Sequence, residues 1–377
     1  MRENTMSSSR LRSGDAPPSR FLSPSRIAIA RQRRGLTKTD LARQLGVSPR
    51  TVNTYENNGA PLSRAGDLSG ALSFPVGFFH LADCTDLSDA EVNFRAGRTT
   101  TAIQRKAAKA AGAIAMDIAG WIAQRFSLRA PNLPDLSGHD PRTAARMLRE
   151  AWGLGTGPLP NLVQLSEFHG IRVFSLPALA EEVDAYSVWQ GETPFIFLAR
   201  RKTPERSRFD VAHELGHLTL HRNEDVAAAH EREADIFASE FLMPHTAIIE
   251  HLPQNPSVDE LMEFKTIFRV SAMAATYTSH KVGWLSDWAY RQNCAELERR
   301  GYRHGEPEGM SVHETSRVFP QVFGSKHYLV ADAAVELCLP AGEVHALTFS
   351  TALRMVGGSS VEPMVNVAAR PVKLRLV

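Results

Sequence analysis

Apolar residues recur at helical spacing through much of this chain, and the breaks between those runs divide it into segments. The first run starts at Ile27, Ala30 and Arg31 and ends near Gly35. The second opens on Thr37-Lys38-Thr39-Asp40, a capping-box pattern with Asp in place of the usual Glu, carries Leu41, Ala42 and Leu45 on one face, and stops at Gly46. Ser48 then offers an N-cap, and Pro49 sits in a first turn where a missing N–H costs nothing. Val52 and Tyr55 face inward, and Asn57-Asn58-Gly59 closes the helix. A helix, a Gly-Val-Ser turn and a second helix form the geometry that lays a recognition helix in a major groove. The pattern therefore predicts a five-helix helix-turn-helix domain over 23–83. In it, Arg50, Thr51, Asn53 and Thr54 would face base edges, while Lys38, Arg43 and Arg64 would touch phosphates.

Further along, residues 103–126 are Ala-rich, with Ile114, Ile118, Trp121, Ile122 and Phe126 at helix spacing, until Ala130-Pro131-Asn132-Leu133-Pro134 breaks the run. This helix reads as a spacer within a linker over 84–140, a dimer surface, or part of a second core. Stretches 171–176, 185–189 and 193–199 read as three strands of a small antiparallel sheet, the last two joined by Gln190-Gly191-Glu192. An extended peptide could add to the edge of such a sheet. After Pro256, stretches 258–262, 264–270 and 271–281 read as helices, Gly357-Gly358 as a turn and 372–377 as a last strand.

The chemistry lies on the run Val211, Ala212, Leu215, Leu218 and Leu220, a helix apolar on most sides that also carries His213-Glu214-x-x-His217. Residues four apart share a helix face, so the two imidazoles can hold one Zn²⁺, with Glu214 placed as the general base toward a water on the metal. Burying such a set without a metal would cost stability. A catalytic zinc needs a third protein ligand. The metzincin arrangement would put a histidine at 223, which is Asn223. His221 follows along the same straight helix, from which three ligands cannot converge, so it reads as a capping or ligand-supporting residue. The next helix, with Ala234, Phe237, Ala238, Phe241 and Leu242 on its apolar face, offers Glu231 as third ligand and Asp235 as acceptor for a ligating imidazole's other N–H. Glu233 is the rival ligand; it lies about 200° around the helix from Glu231, so both cannot reach one ion. Tyr277 and His280 are candidate donors to an oxyanion.

Charge separates the two ends. The chain's net charge is only +2, yet residues 1–110 hold 17 Lys/Arg against 9 Asp/Glu, and the remainder is acidic. That fits nucleic-acid contact by the N-terminal part alone. Residues 1–22, rich in Ser, Pro and Arg, read as a disordered basic arm without the apolar run of a secretory signal. No stretch is apolar and long enough to span a membrane. Three scattered cysteines, Cys84, Cys294 and Cys338, suggest a reducing cytoplasm and argue against a thiolate metal site.

Two resemblances gather these observations. Leu36-Thr37, Leu41-Ala42, Gly46-Val47-Ser48, Thr51-Val52 and Tyr55-Glu56 resemble the Xre/phage-repressor helix-turn-helix family. His213-Glu214-Leu215-Gly216-His217, Glu231-x-x-Ala234-Asp235-x-Phe237-Ala238 and Phe241-Leu242-Met243-Pro244 resemble the ImmA/IrrE metallopeptidases, as do Arg149-Glu150-Ala151-Trp152-Gly153, Gly170-Ile171-Arg172-Val173-Phe174 and Asp184-Ala185-Tyr186-Ser187 upstream. Asp235 stands where Asn is common. Asn93-Phe94-Arg95-Ala96 resembles the family's junction, without a role that can be assigned. The resemblance implies an α+β, mostly helical chain: a helix-turn-helix domain, a gluzincin-like zinc peptidase domain over 141–290, and a C-terminal region, 291–377, of unknown role. It also implies double-stranded DNA and a protein substrate, a transcriptional repressor cleaved after stress or DNA damage, as partners, with a homodimer on paired half-sites. The competing expectations are a regulator whose peptidase-like domain senses a ligand or metal, and one that captures a partner without cutting it.

Overall fold

The computed structural model describes residues 20–84, 100–222, 228–302, 305–324 and 328–350, with the backbone of 93–96 and 372–373. Most of the expected basic arm, Asn223, the Gly357-Gly358 turn and residues 374–377 lie outside these.

The N-terminal helices are α1 (Pro24–Arg33), α2 (Lys38–Leu45), α3 (Pro49–Asn58) and α4 (Ala65–Leu72). Where a fifth helix was expected, Val76–His80 forms a 3₁₀ turn. The caps follow the residue types: Ser23, Thr37 and Ser48 accept from the N–H groups of Arg26, Asp40 and Thr51, and Asp40 accepts from the Thr37 N–H at 3.0 Å. Each such cap stabilises by about 1 kcal/mol. Gly46 ends α2 at φ 66°, the left-handed turn that glycine adopts without strain. Phe21 and Leu22, expected at the end of the arm, are part of the folded domain. Leu22 is fully buried, its N–H donates to Ala60 O at 2.8 Å, and Phe21 bridges Pro61. Gly59 permits that contact, since a Cβ there would lie 2.5 Å from Leu22 O.

The rest of the chain runs β1 (Asn93–Ala96), α5 (Ala102–Arg125), β2 (Phe126–Ser127), α6 (Pro141–Ala151), α7 (Leu162–Phe168), β3 (Arg172–Ser175), β4 (Val183–Gln190), β5 (Thr193–Leu198), α8 (Pro204–Leu220), α9 (Ala228–Leu242), α10 (His245–His251) and α11 (Val258–Phe268). It continues through α12 (Ala272–Lys281), α13 (Asp287–Arg299), α14 (Val318–Phe323), α15 (Val330–Glu336), α16 (Ala341–Leu347) and β6 (Val372–Lys373). α11 is one continuous helix, where the pattern suggested two, and it ends on Arg269 in the left-handed region.

The sheet is mixed, not antiparallel. Its order is β1-β4-β5-β3, and β3 runs parallel to β5. The reason is topological: β4 and β5 form the expected hairpin, and β3 lies on the far side of β5. β1 adds a fourth strand, antiparallel to β4 with Asn93 opposite Ser187, and so covers the β4 edge.

α5 is not an exposed connector. Most of its alanines and Ile114, Ile118 and Ile122 are buried, it packs on α1, and Ala108 O accepts from the Tyr186 hydroxyl at 2.7 Å. Small side chains let the helix lie close to both neighbours. The C-terminal helices lock onto the same body. Glu343 of α16 pairs with Arg33 at 2.9 Å and Arg34 at 2.6 Å, and Ser175 Oγ of β3 donates to Ala346 O at 2.5 Å. One hydrophobic cluster extends from Leu22 to Phe349.

Candidate metal centre

α8 and α9 build the site. Thr203 caps α8 and Pro204 occupies its first turn. Arg208, 1% exposed, anchors the helix by donating to Pro160 O at 2.7 Å and Leu159 O at 2.8 Å and pairing with Glu314. Gly216 sets the distance to α9: a Cβ there would stand 3.1 Å from Phe237 Cδ1 and 3.2 Å from Ala234 Cα. Without it, α9 lies close enough to bring Glu231 over the two histidines. Arg149 of α6 ties the end of α9 to the loop after α6, donating to Phe241 O at 2.5 Å and to Gly155 O at 2.6 Å.

His213, Glu214 and His217 are buried, at 0, 0 and 2% exposure. The Nε2 atoms of His213 and His217 are 3.0 Å apart, and Glu231 approaches them at 3.5 and 3.3 Å through its two oxygens. Four donors about 2.0–2.1 Å from a tetrahedral ion stand roughly 3.3 Å from one another, so the spacing suits a small divalent metal. The tautomers suit it too. Asp235 Oδ1 lies 3.0 Å from His213 Nδ1; a carboxylate only accepts, so Nδ1 holds the proton and Nε2 presents its lone pair. His217 is set by a longer chain. Glu233 Oε2 lies 2.8 Å from His221 Nε2, which makes His221 Nδ1 an acceptor. His217 Nδ1, 3.1 Å away, must then donate, and its Nε2 is left bare. Two carboxylates thus aim two lone pairs at one point. Glu233, the expected rival ligand, is engaged with His221 here, and Glu231 alone joins the donor cluster.

The electrostatics agree. Burial depresses the His217 imidazole to about 4, keeping it neutral. Glu214 Oε2 accepts from Ser187 Oγ of β4 at 2.7 Å. His221 supports His217, as expected, whereas Ser187 and the part of Glu233 behind His221 are contributions that sequence reasoning missed. The signal for Ser187 was a small polar residue amid the apolar residues of a strand.

The DNA-facing candidates gather on α2 and α3. Arg43, Arg50, Asn53 and Thr54 are exposed and Thr51 is half-buried. Thr51 Oγ1 lies 2.9 Å from Ser48 Oγ, within the cap, and Lys38 Nζ donates to Asn53 Oδ1 at 2.6 Å, joining a phosphate candidate to a base candidate. Arg64 is occupied with Leu45 O and Asp67. Of the oxyanion candidates, His280 is held by Asp287 at 2.7 Å, whereas Tyr277 is 46% exposed in a cleft that Asp235 also lines.

Two family models match the chain. Residues 27–72 match a helix-turn-helix family, and residues 167–280 match the IrrE N-terminal-like domain, a peptidase family. No curated protein matches it. Among the described residues, no helix is long and apolar enough to cross a membrane. The helices over 27–72 and the His-Glu cluster within 167–280 accord with these matches, and the chain joins an Xre-type helix-turn-helix DNA-binding domain to an ImmA/IrrE-type peptidase-family domain.

Proposed function

We propose that this protein is a DNA-bound, zinc-dependent endopeptidase that acts in the cytoplasm on another regulator, a transcriptional repressor, in response to stress or DNA damage. The observation that carries the reading is the convergence of His213, His217 and Glu231 donor atoms within 4.8 Å of one another, with Glu214 buried beside them. Zn²⁺ held by those three residues supplies Lewis acidity and lowers the pKa of water toward neutrality. The protein's own groups do the rest. Asp235 and the Glu233–His221 pair hold the imidazoles in register. Glu214, oriented by Ser187, takes the proton of the attacking water and returns it to the leaving amine. The helix-turn-helix head, as a dimer on paired half-sites, keeps the peptidase near regulators bound to the same DNA, which raises their effective concentration.

The test incubates the Zn²⁺-loaded full chain with repressors encoded beside its own gene, with and without single-stranded DNA, alongside Glu214→Gln. A discrete cut made by the wild type alone is expected. Zinc uptake and specific DNA binding with no cut under either condition would overturn the peptidase reading. One observation favours a second reading, a regulator that senses metal or captures a partner without cutting: β1 already pairs with the β4 edge that an added peptide strand would use.

A further inference from the structure

α12 does not close against the metal-site helices. Between α8 and α9 on one side and α12 and α13 on the other lies a cavity of about 680 Å³, within the roughly 300–1,000 Å³ that ligand sites occupy. Its walls are largely apolar: Phe209, Val270 and Met273 line it, and Ile236 and Tyr277 remain 41% and 46% exposed inside it. Apolar surface left open beside a candidate catalytic centre is what a bound chain would cover. Its position is specific. Arg206 and Phe209 precede His213 on the same face of α8, and Asp235, which bonds His213, is part of the wall.

The rim is cationic, with Arg142, Arg206, Arg232 and Lys281 all on the lining. The carboxylates of the same wall are committed elsewhere. Glu205 accepts from Met310 N–H at 2.5 Å, Asp235 bonds His213 at 3.0 Å, and Glu240 is 3% exposed and accepts from His245 N–H at 3.3 Å. Arg206 turns to Asp210 at 3.3 Å, and Arg142 donates to Lys281 O at 3.2 Å. Arg232 on α9 and Lys281 on α12 are exposed and make no ion pair among the described residues, so two cations flank the cavity from opposite walls.

We infer that this cavity seats the substrate's peptide chain and selects a segment in which an apolar side chain is flanked by carboxylates. The inference rests on the peptidase reading of the adjoining site and names the chemistry of what that site would cut. The apolar residue fills the space over Phe209 and Met273, and the flanking carboxylates meet Arg232 and Lys281. Nucleic acid fits less well, because it offers no apolar side chain to cover Phe209, Ile236 and Met273.

The experiment uses the full-length Zn²⁺-loaded chain carrying Glu214→Gln, so that a bound peptide is not consumed. Three short fluorescein-labelled peptides are compared by anisotropy at physiological ionic strength: Leu flanked by Glu, Leu flanked by Lys, and Ser flanked by Glu. The Leu/Glu peptide is expected to bind about tenfold or more tightly than either other peptide. In R232E/K281E that preference should reverse toward Leu/Lys, with melting temperature and zinc uptake unchanged because both side chains are exposed. Equal affinities for the Leu/Glu and Leu/Lys peptides, no binding of any peptide, or an unaltered preference in R232E/K281E would overturn the inference. Displacement of the Leu/Glu peptide by a single-stranded oligonucleotide, lost in R232E/K281E, would reassign the cavity to nucleic acid. The two readings fail separately: charge preference without zinc uptake or cleavage removes the peptidase, and cleavage without charge preference removes the inference.

Discussion

His213 does two things at once: its Nε2 joins the donor cluster and its Nδ1 answers Asp235. His213→Ala should therefore abolish stoichiometric zinc, measured by metal analysis after dialysis; retained zinc would refute the ligand assignment. Glu231→Gln and Glu233→Gln separate a ligand from its support. The first should lose the metal. The second should weaken zinc affinity by about 10- to 100-fold in chelator competition, since it only exchanges the charged acceptor behind His221 for a neutral amide. Equal losses would return Glu233 to the ligand set. His169 makes a different prediction. It stacks on Trp152 with ring centroids 4.0 Å apart, lies 3.2 Å from the Asn132 side-chain nitrogen, and burial depresses it from 6.5 to about 4. As pH falls below 6.5 the unfolded chain takes the proton first, so stability is lost between about 6.5 and 4. His169→Phe, which keeps the stacking, should flatten that part of the urea-midpoint profile; an unchanged slope would show that other groups cause it.

At the scale of elements, the close contact of α8 with α9 decides whether three ligands exist at all. Gly216→Ala would drive a methyl toward Ala234 Cα at 3.2 Å, where backbone cannot yield easily. The helices should part by a few tenths of an ångström, with overpacking costing about 1–3 kcal/mol, and zinc affinity should fall with stability in the same titration. On α3, Arg50→Ala should weaken binding to a specific operator more than to random duplex, and equal losses would make Arg50 a phosphate contact. Much at this scale was legible beforehand. Thr37 with Asp40, Ser48 with Pro49 and the His-Glu-x-x-His spacing are local signals, acting within one turn of helix. The parallel placement of β3 and the pairing of β1 with β4 were not, because strand neighbours are chosen by packing far away in sequence.

Across the whole molecule, the C-terminal helices act as a brace. Glu343, 6% exposed at its side chain, receives both Arg33 and Arg34 from α1. Glu343→Ala leaves two guanidiniums without that partner, and removal of one side of a buried pair costs about 3–5 kcal/mol. Equilibrium unfolding should show that loss, and a double-mutant cycle with Arg33→Ala should show coupling; additive effects would mean the pair is incidental. The same brace explains why residues 291–350 resisted a sequence reading: α14, α15 and α16 are six or seven residues long, too short for a periodic pattern to stand out.

The sequence by itself determined the chemistry on offer and the local order. His213, Glu214 and His217 share a helix face whatever surrounds them, Glu231 and Asp235 share another, and the turn through Gly46-Val47-Ser48 sets one helix after the next. Tertiary structure decided which of these meet. It joined Glu231 rather than Glu233 to the histidines, gave Glu233 to His221, set Ser187 against Glu214, and turned the expected linker helix into core between the DNA-binding head and the sheet. The physical reason is range. Helix periodicity and capping act over three or four residues, whereas the choice between two carboxylates on one helix depends on how that helix rolls against another, and only packing sets that angle.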